Sequence, residues 1–353
     1  MDLSLMVAGG GGTTLAELGG LARAAEEAGL AGVYLAEAWR SGLVPTAALA
    51  AATTHIRVGP YVLNAHARSP LFTGIAAVDL DEMTGGRLVL GIGSGNEVTN
   101  ARYQGIPVSR PLAKMRDYVE VLRLVTTARA GARVDFQGAV HSTTGWYSQV
   151  DPVRPSIPIV LAATSPRMTD LAADVADGLA LGSLLSAPFA ASVSRQAKQR
   201  SPRAGFRVMM AAFAAVSQDR EEARTAARAA VVNLYAGKPH PHYDRLLRQQ
   251  GHAAVADRIG ELVSQGDVAE ARRAIPEELL DTLVIAGSPG ECQARLSEYH
   301  ELDEVLMVNV NAMHYRTDPA AREPLPSSLP ESYQSLLELA VGRPAQRELL
   351  HDN

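Results

Sequence analysis

Two apolar runs of strand length in the first hundred residues each lead into a cluster of polar side chains. The polar residues are Asn64, His66 and Arg68 after the first run, and Ser94, Asn96 and Glu97 after the second. Imidazole and carboxylate groups exchange protons with a substrate, whereas amide, hydroxyl and guanidinium groups orient one through hydrogen bonds. These residue types predict a site for binding and proton transfer, provided that the two clusters lie together.

A helix-length apolar segment between the two runs gives a reason to expect that proximity. It ends at M-T-G-G-R, and residues 56–96 as a whole have the pattern of strand, helix and strand, which is one βαβ unit of a parallel sheet. Ligands of α/β folds bind at the carboxyl ends of parallel strands. Both polar clusters are therefore predicted to line one ligand site.

The glycine-rich loop at residues 91–96, G-I-G-S-G-N, has two interpretations. Its glycines resemble a dinucleotide-binding fingerprint, in which the main chain closely approaches a pyrophosphate. The third glycine comes one residue early, however, and Glu97 does not open an apolar helix. The spacing favours a barrel strand that turns over its rim, where glycines let a flat ring lie against the main chain.

Two further motifs contain residue types that bind ligands. T-S-P-R at residues 164–167 fits a phosphate site at a helix N-terminus and equally fits an ordinary helix cap. His240 and His242 flank a proline and could form a metal pair, but no third ligand stands nearby, so no metal is expected. The chain lacks G-x-S-x-G, so a serine hydrolase elbow has no support.

The elements that must position these residues alternate along the chain. Strands are predicted at residues 3–8, 33–35, at the two ends of the βαβ unit, and at 159–163, 179–181, 206–216 and 305–310. Helices are predicted at residues 14–28, 45–53, within the βαβ unit, and at 111–126, 166–176, 219–235 and 289–299. Eight strands favour an α/β fold of the TIM (β/α)8 barrel type, because closure removes exposed edges; an open sheet is the alternative.

The domain organisation follows from that barrel. Residues 1–320 are predicted to be a single barrel domain with insertions at about 131–158 and 239–281, and residues 321–353 a C-terminal extension packed on it. The loops at residues 9–12 and 39–43 and the two insertions are expected to line the substrate pocket.

Composition excludes several classes of function. The chain has 353 residues, 47% of them hydrophobic, and a formal charge of -5, and it lacks a dense basic block, so nucleic acid is an unexpected partner. The lone Cys292 fits a reducing compartment and is predicted to be a buried apolar residue. An acidic N-terminus and the lack of a long apolar run predict a soluble cytoplasmic protein without membrane contact.

Several separated motifs, in order, are similar to those of the luciferase-like monooxygenase superfamily. They are E-E-A-G-L-A-G-V-Y-L-A-E, R-V-G-P-Y-V-L-N-A-H-A-R-S-P, D-L-D-E-M-T-G-G-R-L-V-L-G-I-G-S-G, G-I-P-V-S-R-P-L-A-K-M-R, A-A-T-S-P-R-M-T-D-L-A-A-D-V-A-D-G and G-S-P-G-E-C. Within the superfamily the chain most resembles the deazaflavin-dependent branch, the methylene-tetrahydromethanopterin-reductase-like oxidoreductases. The resemblance spans residues 3–311.

The resemblance implies a TIM-type barrel, usually a homodimer, that holds coenzyme F420 at its C-terminal rim and transfers a hydride to a small molecule. It implies a non-prolyl cis peptide at Tyr61-Val62, behind the deazaflavin ring. The implied cofactor-binding residues are Glu37, Tyr61, Val62, Leu63, Asn64, Ser94, Gly95, Asn96, Ala162, Ala163, Thr164, Gly182 and Ser183. For Glu37 a rim carboxylate in a salt bridge is the alternative.

Two departures from the family pattern affect the expected proton donor. Relatives commonly carry a histidine where this chain has Ala38, and their arginine-histidine-proline becomes R-S-P at residues 68–70. Glu97, His66 and Glu37, in that order, are the remaining candidate acids because each sits on a predicted rim loop.

Three functional hypotheses follow from the resemblance. The first is F420-dependent hydride transfer to an imine, an enone or a similar conjugated acceptor. The second is an FMNH2-dependent monooxygenase that uses O2. The third is a non-catalytic relative that binds a flavin, which Ala38 suggests.

Overall fold

The computed structural model describes residues 1–8, 13–236, 241–310 and 333–341. The strands are β1 (Asp2–Val7), β2 (Gly32–Leu35), β3 (Arg57–Pro60), β4 (Leu63–Asn64), β5 (Leu90–Gly93), β6 (Arg133–Gln137), β7 (Ser142–Tyr147), β8 (Ile159–Ala162), β9 (Gly178–Leu181), β10 (Arg207–Val216), β11 (Ile285–Gly287) and β12 (Glu304–Asn309). The helices are α1 (Leu15–Glu27), α2 (Leu43–Ala52), α3 (Pro70–Thr84), α4 (Glu97–Gln104), α5 (Pro111–Thr127), α6 (Pro166–Val175), α7 (Ala187–Arg200), α8 (Arg220–Ala236), α9 (Pro241–Gln249), α10 (Ala253–Gln265), α11 (Val268–Arg273), α12 (Glu277–Leu283), α13 (Pro289–Ser297) and α14 (Gln334–Leu337).

The strands form a parallel barrel. They pair in the order β3, β2, β1, β12, β10, β9, β8, β5, β4, with β11 added to β10. A parallel bridge between Val58 of β3 and Leu88, just before β5, brings β3 beside β5 and closes the sheet. Since β3 and β4 are the two parts of one interrupted strand, the barrel has the eight predicted strand positions. The predicted TIM-type fold is confirmed, and the open sheet is wrong.

Nearly continuous apolar sequence explains why the strands are buried on both faces. All residues of β10 except Arg207 are buried. Capping residues set where the helices begin and end. Thr14 and Glu17 form a reciprocal capping box at the start of α1. Gly85, with φ 62°, ends α3 in the left-handed conformation that glycine favours.

The N-terminal end of the barrel is closed by charges that pair with one another. An Nη2 atom of Arg57 lies 2.6 Å from Asp2 and 3.1 Å from Glu304, and Arg207 reaches the same two carboxylates at 3.0 and 3.3 Å. Ser4 donates a hydrogen bond of 2.5 Å to Glu304. These contacts stabilise this end of the barrel, so ligands are expected at the opposite rim.

Five elements, two of which form one hairpin, were not expected from the sequence. The insertion at 131–158 contains the antiparallel hairpin of β6 and β7, whose largely exposed residues give a weak alternating pattern. Helix α7 and the three-residue strand β11 were not predicted, because α7 buries mainly alanines and β11 is short. Helix α4 does begin at Glu97, but it is polar rather than apolar.

The second insertion contains helices α9 to α12 within its described part. Helix α14 buries Leu336 and Leu337. The predicted division at residue 320 lies outside the described residues, so it stays a prediction.

Candidate active site

The residues predicted to bind the cofactor follow strands that are neighbours in the barrel. Pairing runs from β2 to β3, then through the Val58–Leu88 bridge to β5, and on to β8 and β9. The residues are Glu37 after β2; Tyr61, Val62, Leu63 and Asn64 at the β3–β4 interruption; Ser94, Gly95 and Asn96 after β5; Ala162, Ala163 and Thr164 at the end of β8; and Gly182 and Ser183 after β9. The fold therefore brings them to one arc of the carboxyl rim.

A bulge at the centre of this arc separates β3 from β4. The peptide bond between Tyr61 and Val62 is cis, as the resemblance implied. Val62 packs over β5: a Cβ added to Gly91 would lie 3.0 Å from one Val62 methyl, and a Cβ added to Gly93 would lie 2.9 Å from the other. The bulge thus requires both glycines, which supports the barrel-rim interpretation of this loop over a pyrophosphate fingerprint.

The Tyr61 side chain points into the barrel. Its hydroxyl lies 2.8 Å from the carbonyl oxygen of Leu181 and 3.0 Å from that of Met209, and its ring meets Tyr34 edge-on at 6.2 Å. Burial raises the pKa of Tyr61 well above its ordinary value. The Tyr61 side chain therefore anchors the bulge to β9 and β10 inside the barrel, while its main chain borders the rim.

Glu37 connects three segments of the rim. Its carboxylate accepts hydrogen bonds of 2.8 Å from the main-chain N–H groups of Gly42 and Asn64. It also accepts from both terminal nitrogens of Arg68, with Nη1 at 2.6 Å. Four donors hold this carboxyl group in one orientation. The geometry favours the salt-bridge alternative: Glu37 positions the chain that follows the bulge.

Asn64 extends this network to the loop after β5. Its Nδ2 donates to Asn100 Oδ1 at 2.6 Å, and Asn100 in turn donates to the carbonyl oxygen of Ser94 at 2.9 Å. Gly95 has φ 65°, and a Cβ there would lie 2.5 Å from the Asn64 amide group. The bulge and the 94–96 loop are therefore fixed to each other through Asn100, a fully buried residue that the sequence reading missed.

The remaining candidate acids differ in environment. Glu97 is exposed in the first turn of α4. His66 is 6% exposed, and its main-chain N–H donates to Asn64 Oδ1 at 3.0 Å. Burial, followed by the charges of Lys114 and His141, lowers the pKa of His66. His66 is therefore neutral near pH 7, whereas Glu97 is open to solvent at the edge of the rim.

The T-S-P-R motif serves as a helix cap. Ser165 accepts a hydrogen bond of 3.4 Å from the Met168 N–H at the start of α6, and Arg167 lines a groove of about 320 Å³ between α5 and α6. Thr164 Oγ1 lies 3.4 Å from His242 Nδ1, a contact across 78 residues. Around Gly182 there is open space, since no described atom lies within 4 Å of a Cβ added there.

Some of the remaining predicted features lie within the described residues and some do not. Cys292 is fully buried, and burial raises its pKa to about 12, as expected for a residue that packs rather than reacts. His240 and the glycine loop at 9–12 lie outside the described residues. In the part of the chain that is described, no cluster of three potential metal ligands occurs, and none of the helices there is long and apolar enough to cross a membrane.

Comparisons with known proteins agree with this geometry. The model of the family described as luciferase-like monooxygenase matches residues 4–303. The chain is 33% identical over 257 residues to 5,10-methylenetetrahydromethanopterin reductase of Archaeoglobus fulgidus, covering 71% of this chain and 75% of that protein. It is 28% identical over 286 residues to the reductase of the same name from Methanolobus tindarius, covering 78% and 84%.

A solved structure has the same fold over nearly the whole chain. The coenzyme F420 dependent tetrahydromethanopterin reductase from Methanopyrus kandleri superposes with a TM-score of 0.74 at 20% identity, covering 96% of this chain and 97% of the other. The family match over most of the chain, the barrel and the rim arc lead to one conclusion: this protein belongs to the luciferase-like monooxygenase family.

Proposed function

We propose that this protein is a coenzyme F420-dependent oxidoreductase, which transfers a hydride between the deazaflavin and a small organic substrate such as an imine, an enone or a similar conjugated acceptor. Two sequence relatives are named 5,10-methylenetetrahydromethanopterin reductase, and one of the solved structures with this fold is a coenzyme F420 dependent tetrahydromethanopterin reductase. The observation that carries the proposal is the rim arc itself, with a fixed bulge at Val62 and open space at Gly182.

The residues of the arc fit a flat ring with an anionic tail. Val62, Leu63 and Asn64 would support the ring from the bulge, and the 94–96 loop would border its polar edge. When bound, the deazaflavin supplies a ring carbon that carries the hydride. The strand ends after β8 and β9, which are Ala162, Ala163, Thr164, Gly182 and Ser183, would hold the tail through hydroxyl and main-chain donors.

Proton transfer is assigned to a side chain other than Glu37. Glu37 has its acceptor positions filled by Gly42, Asn64 and Arg68, so we infer that it is a positioning residue. Glu97 is the first candidate acid because it is exposed beside the loop after β5. His66 is the second, through its buried imidazole.

The alternative is an FMNH2-dependent monooxygenase, which the description of the matching family favours. The two functions differ in cofactor and in oxygen demand. We expect the purified protein to bind F420 more tightly than FMN, and to catalyse F420 turnover without oxygen. Tighter binding of FMN with oxygen-dependent turnover would support the monooxygenase instead.

Gly182→Ala tests the placement of the cofactor. Because a Cβ at Gly182 meets no described atom beyond its chain neighbours, the substitution is expected not to lower the unfolding free energy. If the cofactor lies against this position, the methyl group collides with it, and affinity for F420 falls at least about tenfold, or about 1.4 kcal/mol. Affinity is measured by fluorescence titration.

Gly20→Ala is the matched control, because a Cβ at Gly20 also meets nothing within 4 Å and lies in helix α1 away from the rim. It should raise the unfolding free energy by about 0.5 to 1 kcal/mol, because alanine is the better helix former, and it should leave F420 affinity unchanged. Equal F420 affinity of the wild type and Gly182→Ala would contradict the proposed placement.

We also propose that the protein is a cytoplasmic homodimer acting on a small molecule, as the family resemblance implies. Sedimentation equilibrium of the purified chain tests the dimer, and a monomer at micromolar concentration would refute it.

A further inference from the structure

The turn that follows β9 contains a main-chain conformation that its residue type disfavours. Leu184 has φ 65°, in the left-handed region, and its side chain is buried. This conformation is uncommon for a bulky residue, and it persists only where the surrounding structure enforces it, most often at functional sites. Leu184 comes directly after Gly182 and Ser183, which are proposed to hold the anionic tail of the cofactor. The conformation of the turn therefore sets the direction of main-chain groups at the proposed tail site.

Gln250, from the second insertion, holds the turn through its amide group. Its Nε2 donates to the carbonyl oxygen of Leu184 at 2.9 Å, and its Oε1 accepts from the main-chain N–H of Ser186 at 2.8 Å. The same Nε2 also donates to the carbonyl oxygen of Leu246 at 3.1 Å, which fixes the amide to the end of α9. One side chain thus satisfies two main-chain groups of a turn that lies 64 and 66 residues away.

Packing holds the same turn from the side of the core. The Leu184 side chain belongs to a buried apolar cluster that also contains Leu247 of α9. The next residue, Leu185, accepts a hydrogen bond of 3.0 Å at its carbonyl oxygen from the Tyr299 hydroxyl. The turn therefore cannot relax to a more common conformation without losing both these contacts and the bonds to Gln250.

The main-chain donors of the turn have no partner in the part of the chain that is described. No acceptor there lies within hydrogen-bond distance of the N–H groups of Gly182 and Ser183, although Ser183 is only 6% exposed. Buried main-chain N–H groups are nearly always paired, so these call for a water or for a ligand that accepts hydrogen bonds. A Cβ added to Gly182 would meet no described atom beyond its chain neighbours, which leaves room for such a ligand.

Helix α9 contacts a second strand end of the tail site as well. His242, at the start of α9, has its Nδ1 atom 3.4 Å from Thr164 Oγ1, and Gln250 directly follows the last residue of the helix. Thr164 and Gly182 follow β8 and β9, which pair with each other. One helix of the insertion therefore links the two strand ends that are proposed to hold the tail.

We propose that Gln250 is a positioning residue for the anionic tail of the cofactor. By holding Leu184 in its left-handed conformation, it keeps the N–H groups of Gly182 and Ser183 available to a phosphate group. This inference rests on the proposed function, because it requires the tail to lie at these strand ends. A main chain that is fixed before binding loses little conformational freedom when the phosphate binds, and hydrogen bonds to an anion are stronger than those to a neutral acceptor.

The test compares ligands with and without the tail. F420 and the deazaflavin riboside, which has the ring and the ribityl chain but no phosphate, are titrated separately into the wild type and Gln250→Met and followed by fluorescence. Methionine resembles glutamine in length but cannot replace its amide hydrogen bonds. We expect F420 affinity to fall at least about fivefold in Gln250→Met, with riboside affinity unchanged. A role confined to stability would change both affinities equally or neither.

Gln249→Met is the matched control. Gln249 is the neighbouring residue and is exposed, and its side chain makes no hydrogen bond with another described residue. The control should therefore leave both affinities unchanged. Gln250→Asn keeps the amide group but shortens the side chain by one methylene group; it serves if Gln250→Met does not fold, and it should also weaken F420 selectively. Urea denaturation establishes that each variant is folded.

The outcomes separate this inference from the proposed function. Equal changes of F420 and riboside affinity in Gln250→Met, or the same F420 affinity in Gln250→Met and Gln249→Met, would overturn the inference alone. If the wild type binds FMN rather than F420, the same selective loss is expected for FMN relative to riboflavin, which lacks the phosphate, and its absence would likewise overturn the inference. A wild type that binds neither F420 nor FMN would overturn the proposed function and this inference together.

Discussion

Replacing Glu37 by glutamine tests whether this residue holds the rim together. The substitution keeps the size of the side chain but removes its charge, and it turns one acceptor into an NH2 donor that faces the donors of Gly42, Asn64 and Arg68. The two bonds with Arg68 lose their charge assistance, and one N–H group is left without an acceptor. Glu37→Gln should therefore loosen both the bulge and the 37–42 turn.

The expected magnitude follows from the burial of the pair. Removing one partner of a fully buried pair costs about 3 to 5 kcal/mol. The Glu37 side chain is only 12% exposed, but the Arg68 side chain is 23% exposed, so water compensates part of the loss. We expect the unfolding free energy to fall by about 2 to 3 kcal/mol.

Urea denaturation monitored by circular dichroism measures this loss, and fluorescence titration measures the accompanying loss of F420 affinity. Glu261→Gln is the control, because its ion pair with Arg258 joins side chains that are 56% and 51% exposed; it should change the unfolding free energy by less than about 0.5 kcal/mol. A change as small as this in Glu37→Gln, with F420 affinity unaltered, would refute the positioning role.

Two further predictions concern buried polar groups. Tyr61→Phe removes the hydroxyl that lies 2.8 and 3.0 Å from two strand carbonyls, and it should lower the unfolding free energy in urea by about 1 to 2 kcal/mol; an unchanged value would show that these bonds do not anchor the bulge. His66 and His141 have lowered pKa values in the folded chain, so the unfolded chain binds their protons first. Unfolding free energy is therefore expected to fall as the pH drops below the ordinary histidine value of 6.5. The double variant His66→Gln, His141→Gln should show a shallower fall between about pH 7 and 5, and a slope equal to that of the wild type would contradict this assignment.

Most of the barrel could be predicted from the sequence because strands and helices leave characteristic patterns in neighbouring residues. Continuous apolar runs predicted all eight strand positions, and glycines such as Gly85 predicted where helices end. Helix α7 escaped because its buried face is built mainly of alanines, which give little hydrophobic contrast. The hairpin of β6 and β7 escaped because most of its side chains are exposed.

The candidate site was only partly predictable. The polar residues after β4 and β5 were correctly expected to share one edge of the sheet, but their partners were not. Glu37 bonds to Arg68 across 31 residues, and Thr164 approaches His242 across 78. Neither contact could be predicted from a local sequence pattern. Nothing in the sequence marked Asn100 as important, because it is one amide side chain in a polar helix.

The sequence by itself determined that parallel strands alternate with helices, that polar groups follow particular strands, and that the family is the luciferase-like one, since these depend on neighbouring residues and on the order of motifs. Only the tertiary structure decided what each polar group contacts. Closure of the barrel lays Val62 over Gly91 and Gly93 and fills the acceptor positions of Glu37. It also brings Lys114 beside the imidazole of His66. These outcomes depend on which strands become neighbours when the sheet closes, and no local run of residues encodes that geometry.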